Sequence, residues 1–454
     1  EMDLKLAPGN YAYEIERGPE YELVTDHLKV LEKSDQRITI TLKRVVNLAS
    51  EGWWSGELHV HRPLSDVPLL MQAEDLHVAP VITWWNNQNF WAERAIPAER
   101  LVRFDSTRFY HVMGGEDERE GGALLYFNRA APLEIAGSKR EHPSPMQFLK
   151  AARREAGVWI DIEKPFWWDV PIWLASGQVD SIGLANNHMC RDQMYESEAW
   201  GKPRDVARWP APRGNGFWTQ EIYYQILNTG LRIPPSAGSA SGVLPNPVGY
   251  NRVYVHVGSE LTYEGWWRGL KAGRSFVSNG PLLRVKAHGQ WPGHIFKGAA
   301  GEELEIHLEA ALTLRQPRGN RDNTAKEQQQ NQIAAFEIIR NGKIERTISF
   351  ADWNRNPSGG LGTIRFRESG WFLVRVITDN PKTFRFASTA PFYVEMQNQP
   401  VRISKSSTQF FLDWVRERKG RVKVEDAAQK EAVLRYHDAA ERFWRDRLAQ
   451  ANAE

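Results

Sequence analysis

From Glu57 to about residue 290 the chain alternates short apolar runs with stretches of helical period: ELHVH, VPLLMQAEDL, VAPVITWW, PMQFLKAARREAG, VWIDIE, SIGLANNH and EIYYQILNTG follow one another in that order. Strands alternating with helices of this length imply βαβ units around a parallel sheet or barrel, with functional groups gathered at the carboxyl ends of the strands. Residues before this region read differently. YELVTDHLKVLE and RITITLKRVVNL alternate apolar and polar positions around the turn-like KSDQ, which predicts an antiparallel β segment. Beyond RSFVSNGPLLRVKAHG the pattern returns to alternating strands with Asn-Gly and Asp-Asn turns, predicting a small β-sandwich. Its polar insert RQPRGNRDNTAKEQQQNQ is expected to be a solvated loop. From Ser407 apolar residues recur three and four apart, so the chain should end in amphipathic helices packed on the body. The expected organisation is an α/β protein with an N-terminal β segment (1–50), a barrel domain (51–295), a β-sandwich (296–400) and terminal helices (401–454). A chain of 454 residues has room for two or three such cores.

A net charge of +2 supplies no bulk field for nucleic acid or an anionic membrane, and no run of about 18 apolar residues is present to span a bilayer. Cys190 is the single cysteine, so an internal disulfide is excluded. With Met2 standing behind Glu1, a removed leader and a periplasmic or extracellular location are expected. Oligomeric state is not legible. The outlying count is 19 Trp, 12 of them between Trp53 and Trp218, with adjacent pairs at Trp53-Trp54, Trp84-Trp85 and Trp167-Trp168. On a strand, neighbours point to opposite faces, so one indole of each pair can enter the core while the other lines a cleft. Flat indole faces suit sugar rings and other planar ligands. Plain core packing is the competing account for each Trp taken singly.

His59-Val60-His61 ends the first strand of the alternating region, and the period of two places both imidazoles on one face. Such a pair suits a first-row divalent ion, which needs about two more ligands. Other strand ends carry further candidates: Glu116 after FYHVMGG, Asp161 and Glu163 in VWIDIE, and His188 after SIGLANN. Strand ends that ring one mouth can bring such residues to a single ion. For each alone the bland account is a solvated acidic loop or a turn cap.

GWWSGELHVHRP resembles the GW…GDLHVH opening of the PHP-domain metallohydrolases, most closely their CehA/McbA-like branch, and HVMGGE, EKPFWW and SFVSNGP fall where that branch has comparable blocks. The likeness spans about residues 45 to 290. It implies a distorted (βα)7 barrel whose strand ends hold one to three divalent ions, with His59, His61 and Glu116 as the ligands carried over by position. The departures are equally specific. The family's TDH is here Thr83-Trp84-Trp85, its HP block is Lys164-Pro165, and its closing DxH is Ser239-Ala240-Ser241. The remaining inventory suits one ion, zinc being expected with Mn, Fe or Ca as alternatives, held by His59 and His61 with Glu116, Glu163 or His188.

With an open position on that ion, hydrolysis is the expected reaction. Glu163 or Asp161 would take a proton, and Lys164 would stabilise developing charge or protonate a leaving group. Arg62 and Arg252 are candidates for holding an anionic group, with Asn86 and Tyr250 as polar anchors. Trp84, Trp85, Trp167 and Trp168 are candidate walls for an ester, amide or glycan-type substrate; phosphoryl transfer is disfavoured because multi-metal clamps are what the sequence lacks. The alternative of another class is a degenerate barrel that binds carbohydrate without turnover, and a third is an inert scaffold for assembly. Metal analysis discriminates among them.

Overall fold

The structure is a computed structural model describing residues 3–32, 35–315, 317–319, 332–356 and 359–454. It is a mixed α/β protein. At the N-terminus β1 (Gly9–Ile15) pairs antiparallel with β2 (Leu23–Val30). The second expected strand, RITITLKRVVNL, does not form; only a single bridge joins Arg44 to Tyr21 there. Its β propensity finds no free edge, because β1 takes one side of β2 and Pro317–Gly319 takes the other in parallel. Arg44 anchors this stretch instead, donating to Glu20 and Asp75. Apart from Arg315, 317–319 and Gln332, the expected polar insert lies outside the described residues.

In the central region β3 (Trp53–Gly56) continues as residues 57–61, which bond on both sides. Glu57 N donates to Val78 O, and Ile82 N donates to Val60 O, joining it to β4 (Val78–Trp85). On the other side Leu58 N donates to Ala237 O and His61 N to Ser241 O. After β4 come two short strands, β5 (Gln88–Asn89), folded back on β4, and β6 (Leu101–Arg103), antiparallel to β7 (Phe109–Arg119). β7 lies parallel to β4, and β8 (Gly122–Phe127) lies antiparallel between β7 and β9 (Trp159–Ile162). β10 (Ser181–Ala185) is parallel to β9, and β11 (Pro235–Ala237) is parallel to β10. β12 (Arg252–His256) and β13 (Ser275–Ser278) follow antiparallel, β12 also pairing with β3. The helices between these strands are α1 (Val67–Ala73), α2 (Pro145–Ala152), α3 (Val170–Ala175), α4 (Gly214–Asn228) and α5 (Tyr263–Lys271).

The regular strand-then-helix alternation therefore breaks after β4, where β5, β6, β7 and β8 follow with no helix before α2. Glu120-Gly121-Gly122, with Gly122 at φ +111°, turns the chain straight back, so β7 and β8 form a hairpin, and β9, reached after α2, pairs antiparallel on the other side of β8. Further on, Leu304–Thr313 pairs with Leu282–Ala287 and Gly360–Phe366, while Ile333–Arg340, Gly370–Thr378, Phe386–Thr389 and Phe392–Met396 pair among themselves. Their apolar faces share one core, including Val285, Ile306, Phe336, Phe366, Phe372 and Val374. The terminal helices Lys405–Arg421 and Ala427–Ala449 pack on α3 and α4, with Trp414 and Trp444 fully buried. Among the described residues no helix is long and apolar enough to cross a membrane.

Candidate metal centre

Residues 57–61 are clamped between β4 and the segment after β11, so their two faces are fixed. Val60 packs outward with Val67, Met71, Ala79 and Val81, and His59 and His61 project to the opposite side. The approach of the 235–241 segment is close. A Cβ on Gly238 would stand 2.4 Å from that of His59, so only glycine lets the two backbones pass. β7, in register with β4 through Trp85 and Glu116, brings Glu116 to the same place.

Three donor atoms converge there. His59 Nε2 lies 3.0 Å from His61 Nε2, His61 Nε2 is 3.0 Å from Glu116 Oε2, and His59 Nε2 is 3.4 Å from it. Glu116 Oε2 is buried and has no hydrogen-bond partner among the described residues. Lone pairs facing one another at this range need a cation or a proton between them. Electrostatics show the same demand. Burial opposes charge on His59, yet Glu116 and Glu163 overcome it and push its pKa up to about 10. Burial works against the Glu116 carboxylate too, and His59 and His61 hold its pKa well below the usual range. His61 is pulled down, chiefly by burial. The donor set of two imidazoles and one carboxylate is one that could hold a metal ion.

Glu163 takes a supporting place. Its Oε1 stands 3.3 Å from His59 Nδ1, while Oε2 accepts from Lys164 Nζ and, at 2.9 Å, from Trp167 Nε1. Lys164 and His59 outweigh burial and lower its pKa to about 2, so the carboxylate is charged and turns the Nε2 side of His59 toward Glu116. Only Oε2 is hydrogen-bonded; Oε1, buried and facing His59 Nδ1, has no hydrogen-bond partner among the described residues. Lys164 is itself buried, its ammonium 4.4 Å over the Trp167 ring.

Several expected site residues stand elsewhere. Asp161 is tied to the hydroxyls of Ser181 and Ser236, in β10 and β11, and burial raises its pKa to about 7; it is an internal acceptor and not a group open to substrate. His188 lies outside the three-residue cluster, its ring against Phe166 and Tyr195. Trp84 turns inward onto Gly115 and stacks on Tyr126, so it belongs to the core, whereas Trp85 faces His61 with ring centroids 5.0 Å apart. Trp168 is buried under Arg421 of the first terminal helix, so of this pair it is Trp167 that reaches the centre, through Glu163. Arg252 is wholly internal, bonded to the carbonyls of Gly249 and Glu74, because β12 is covered on both faces. Tyr250 OH donates to Cys190 O, and the Asn86 side chain accepts from Glu118 N at 2.9 Å, so both brace loops. Arg62 is half-buried beside His61, with Nε on Ser241 Oγ at 3.0 Å.

Two acids were missed by sequence reasoning, and the period of two could have found both. Glu57 precedes His59 on the same face and accepts from the backbone of Ser239 and Gly249, fixing the loop that carries Gly238. Glu118 follows Glu116 on the same face of β7. It is half-buried and accepts from Trp85 Nε1 at 3.2 Å; burial and the neighbouring Glu116 raise its pKa to about 7.

No family model and no curated protein matches this chain. A solved structure of Clostridium thermocellum CbhA fibronectin(III)-like modules is similar at 12% identity and a TM-score of 0.15, the match covering 32% of this chain and 62% of that one. A score at that level carries no argument for fold or function.

Proposed function

We propose that this protein is a hydrolase that works with one divalent ion, zinc, held by His59, His61 and Glu116. The carrying observation is the convergence of the two Nε2 atoms and Glu116 Oε2 within 3.4 Å, with that oxygen otherwise unpartnered among the described residues. A zinc ion supplies Lewis acidity and a water of lowered pKa. The chain's own groups do the remainder. Glu163 orients His59. Glu118 has one oxygen on Trp85, and the other is the acceptor for the proton of the attacking water. Lys164 has three N–H bonds, of which Glu163 takes one, and the rest serve negative charge developing on a substrate oxygen. Arg62 holds an anionic or strongly polar substituent, and Trp85 and Trp167 flank the reacting group. An ester, amide or glycan-type substrate suits this mixture of cations and indoles.

We read the strand neighbours β3, β4, β7, β8, β9, β10 and β11, returning to residues 57–61, as a distorted seven-membered barrel of the PHP type. The shared core of the later strands is read as a β-sandwich. Both readings are supported by the pairing order and hydrogen bonds already given.

Metal analysis of the purified full chain tests the function. One equivalent of divalent ion is expected in the native protein and none in His59→Ala/His61→Ala, together with turnover on a panel of esters, amides and glycosides that the double variant lacks. A native protein without metal that binds sugars would replace this reading with the binding-only one.

A further inference from the structure

Where the central region meets the later strands, the molecule holds a cavity of about 670 Å3 that shares no residue with the metal centre. Its floor comes from three paired strands. Ile295–Gly298 runs parallel to Phe392–Met396 with Lys297 opposite Glu395, and Gly370–Thr378 runs antiparallel on the other side with Trp371 opposite Tyr393. One wall is the end of α4 and the turn after it, with Leu227, Leu231 and Arg232, and another is the stretch before the first terminal helix, with Val401 and Arg402. These walls are tied together. Trp371 Nε1 donates to Asn228 Oδ1 at 3.0 Å and Ser404 N donates to Asn228 O at 2.8 Å, so a ligand would find the space already formed.

The charges lining the cavity do not balance. Arg232, Lys297 and Arg402 face a single carboxylate, Glu395, which Arg232 engages at 2.7 Å while lying over the Tyr393 ring. Lys297 makes no ion pair among the described residues. Arg402 Nη2 donates to Glu454 O at 3.2 Å, and its Nη1 is buried with no acceptor among the described residues. Burial, against the attraction of Glu368 and with the repulsion of Arg340, draws the Arg402 pKa below its ordinary value, as befits a cation short of counter-charge. The rest of the lining is largely apolar.

We propose that this joint is a second binding site, for an organic carboxylate whose apolar body lies along Leu227, Leu231 and Tyr393 and whose charge is balanced by Lys297 and Arg402. A bare inorganic anion lacks the apolar body, and a neutral ring compound lacks the charge. The site owes nothing to the metal-centre reading and survives its failure.

The test is isothermal titration of the full chain with 2-naphthoate, its neutral amide 2-naphthamide and inorganic phosphate. The protein is first stripped of metal and dialysed, because an ion in the centre would itself take a carboxylate. One equivalent of naphthoate should bind, about tenfold or more tightly than naphthamide, and phosphate should give no signal. Arg402→Gln and Lys297→Gln should each weaken naphthoate by about tenfold and leave naphthamide unchanged, whereas Val401→Trp, which adds bulk to the wall, should weaken both. Absence of naphthoate binding up to millimolar concentration overturns the proposal, and so does equal affinity for acid and amide. Binding that all three variants leave intact lies elsewhere on the protein and overturns it as well. Lys297 and Val401 are exposed, so their variants decide the matter even if Arg402→Gln, deprived of its tie to Glu454, fails to fold.

Discussion

Glu163 shows how one side chain can govern a centre it does not enter. Its Oε1 faces His59 Nδ1 at 3.3 Å and its Oε2 accepts from Lys164 and Trp167, so the tautomer of His59 depends on a residue at the end of β9. Loss of an orienting carboxylate behind a ligating histidine typically costs about 10–100-fold in metal affinity. Glu163→Gln should therefore bind one equivalent at saturating metal, with affinity by chelator competition reduced by about that factor. Asp161→Asn, tied to Ser181 and Ser236 and not to His59, should stay within about twofold. Equal losses in the two variants would show that burial of charge, and not orientation, is what Glu163 contributes.

At the scale of elements, the terminal helices are fastened by a group whose sequence context gives no warning. Arg418 is 1% exposed and donates to both oxygens of Glu141 and to Asp169, across the boundary between the first terminal helix and the central region. Removal of one partner from a buried ionic set leaves the others uncompensated, at about 3–5 kcal/mol. Arg418→Ala should lower the unfolding free energy by about that much in urea titrations, without changing the metal count of the folded fraction. The helices themselves were legible, because FFLDWV and VLRYHDAAERFW carry their period openly; the arginine looked like any solvated cation in RERKG. The same divide runs through the sheets. HVH announced two rings on one face because period two needs no partner. GALLYF went unread as β8, an apolar run with no alternation, since a strand buried on both faces has no polar side to mark it. RITITL read as a strand and is none, because pairing depends on an edge that only the folded chain supplies or withholds. The Trp pairs followed the one-in, one-out rule at Trp84-Trp85. They departed from it at Trp53-Trp54, where both are buried, and at Trp167-Trp168, which sit in a turn.

For the molecule as a whole, acid is opposed twice, and the two causes can be separated. In the proposed centre, metal loading would displace the proton that Glu116 and Glu163 favour on His59, so affinity should fall as pH is lowered. Independently, the fold is held against protonation by histidines remote from that chemistry. His77, bonded to Ser55 Oγ, is held down to about 4 by burial, and His111, accepting from Met113 N, is held at about 4 by burial and then Arg100. In the unfolded chain both return to ~6.5. Between those values the unfolded state binds more protons, so stability is complete above ~6.5 and is lost as pH falls toward 4, after which the loss is constant. Each site contributes on the order of 3 kcal/mol over that window, at about 1.4 kcal/mol per pH unit. A His77→Gln/His111→Gln variant keeps neutral polar groups at both positions. Measured against the native protein by urea denaturation, both metal-free, it should gain stability steadily from pH 6.5 to about 4 by several kcal/mol, and show no pH-dependent difference above pH 7. Metal affinity should keep its acid sensitivity in the same variant, because His59 and its carboxylates are unchanged. Parallel native and variant stability curves below pH 6.5 would mean that these two rings charge in place at little cost, and that the acid limit of the fold is set elsewhere.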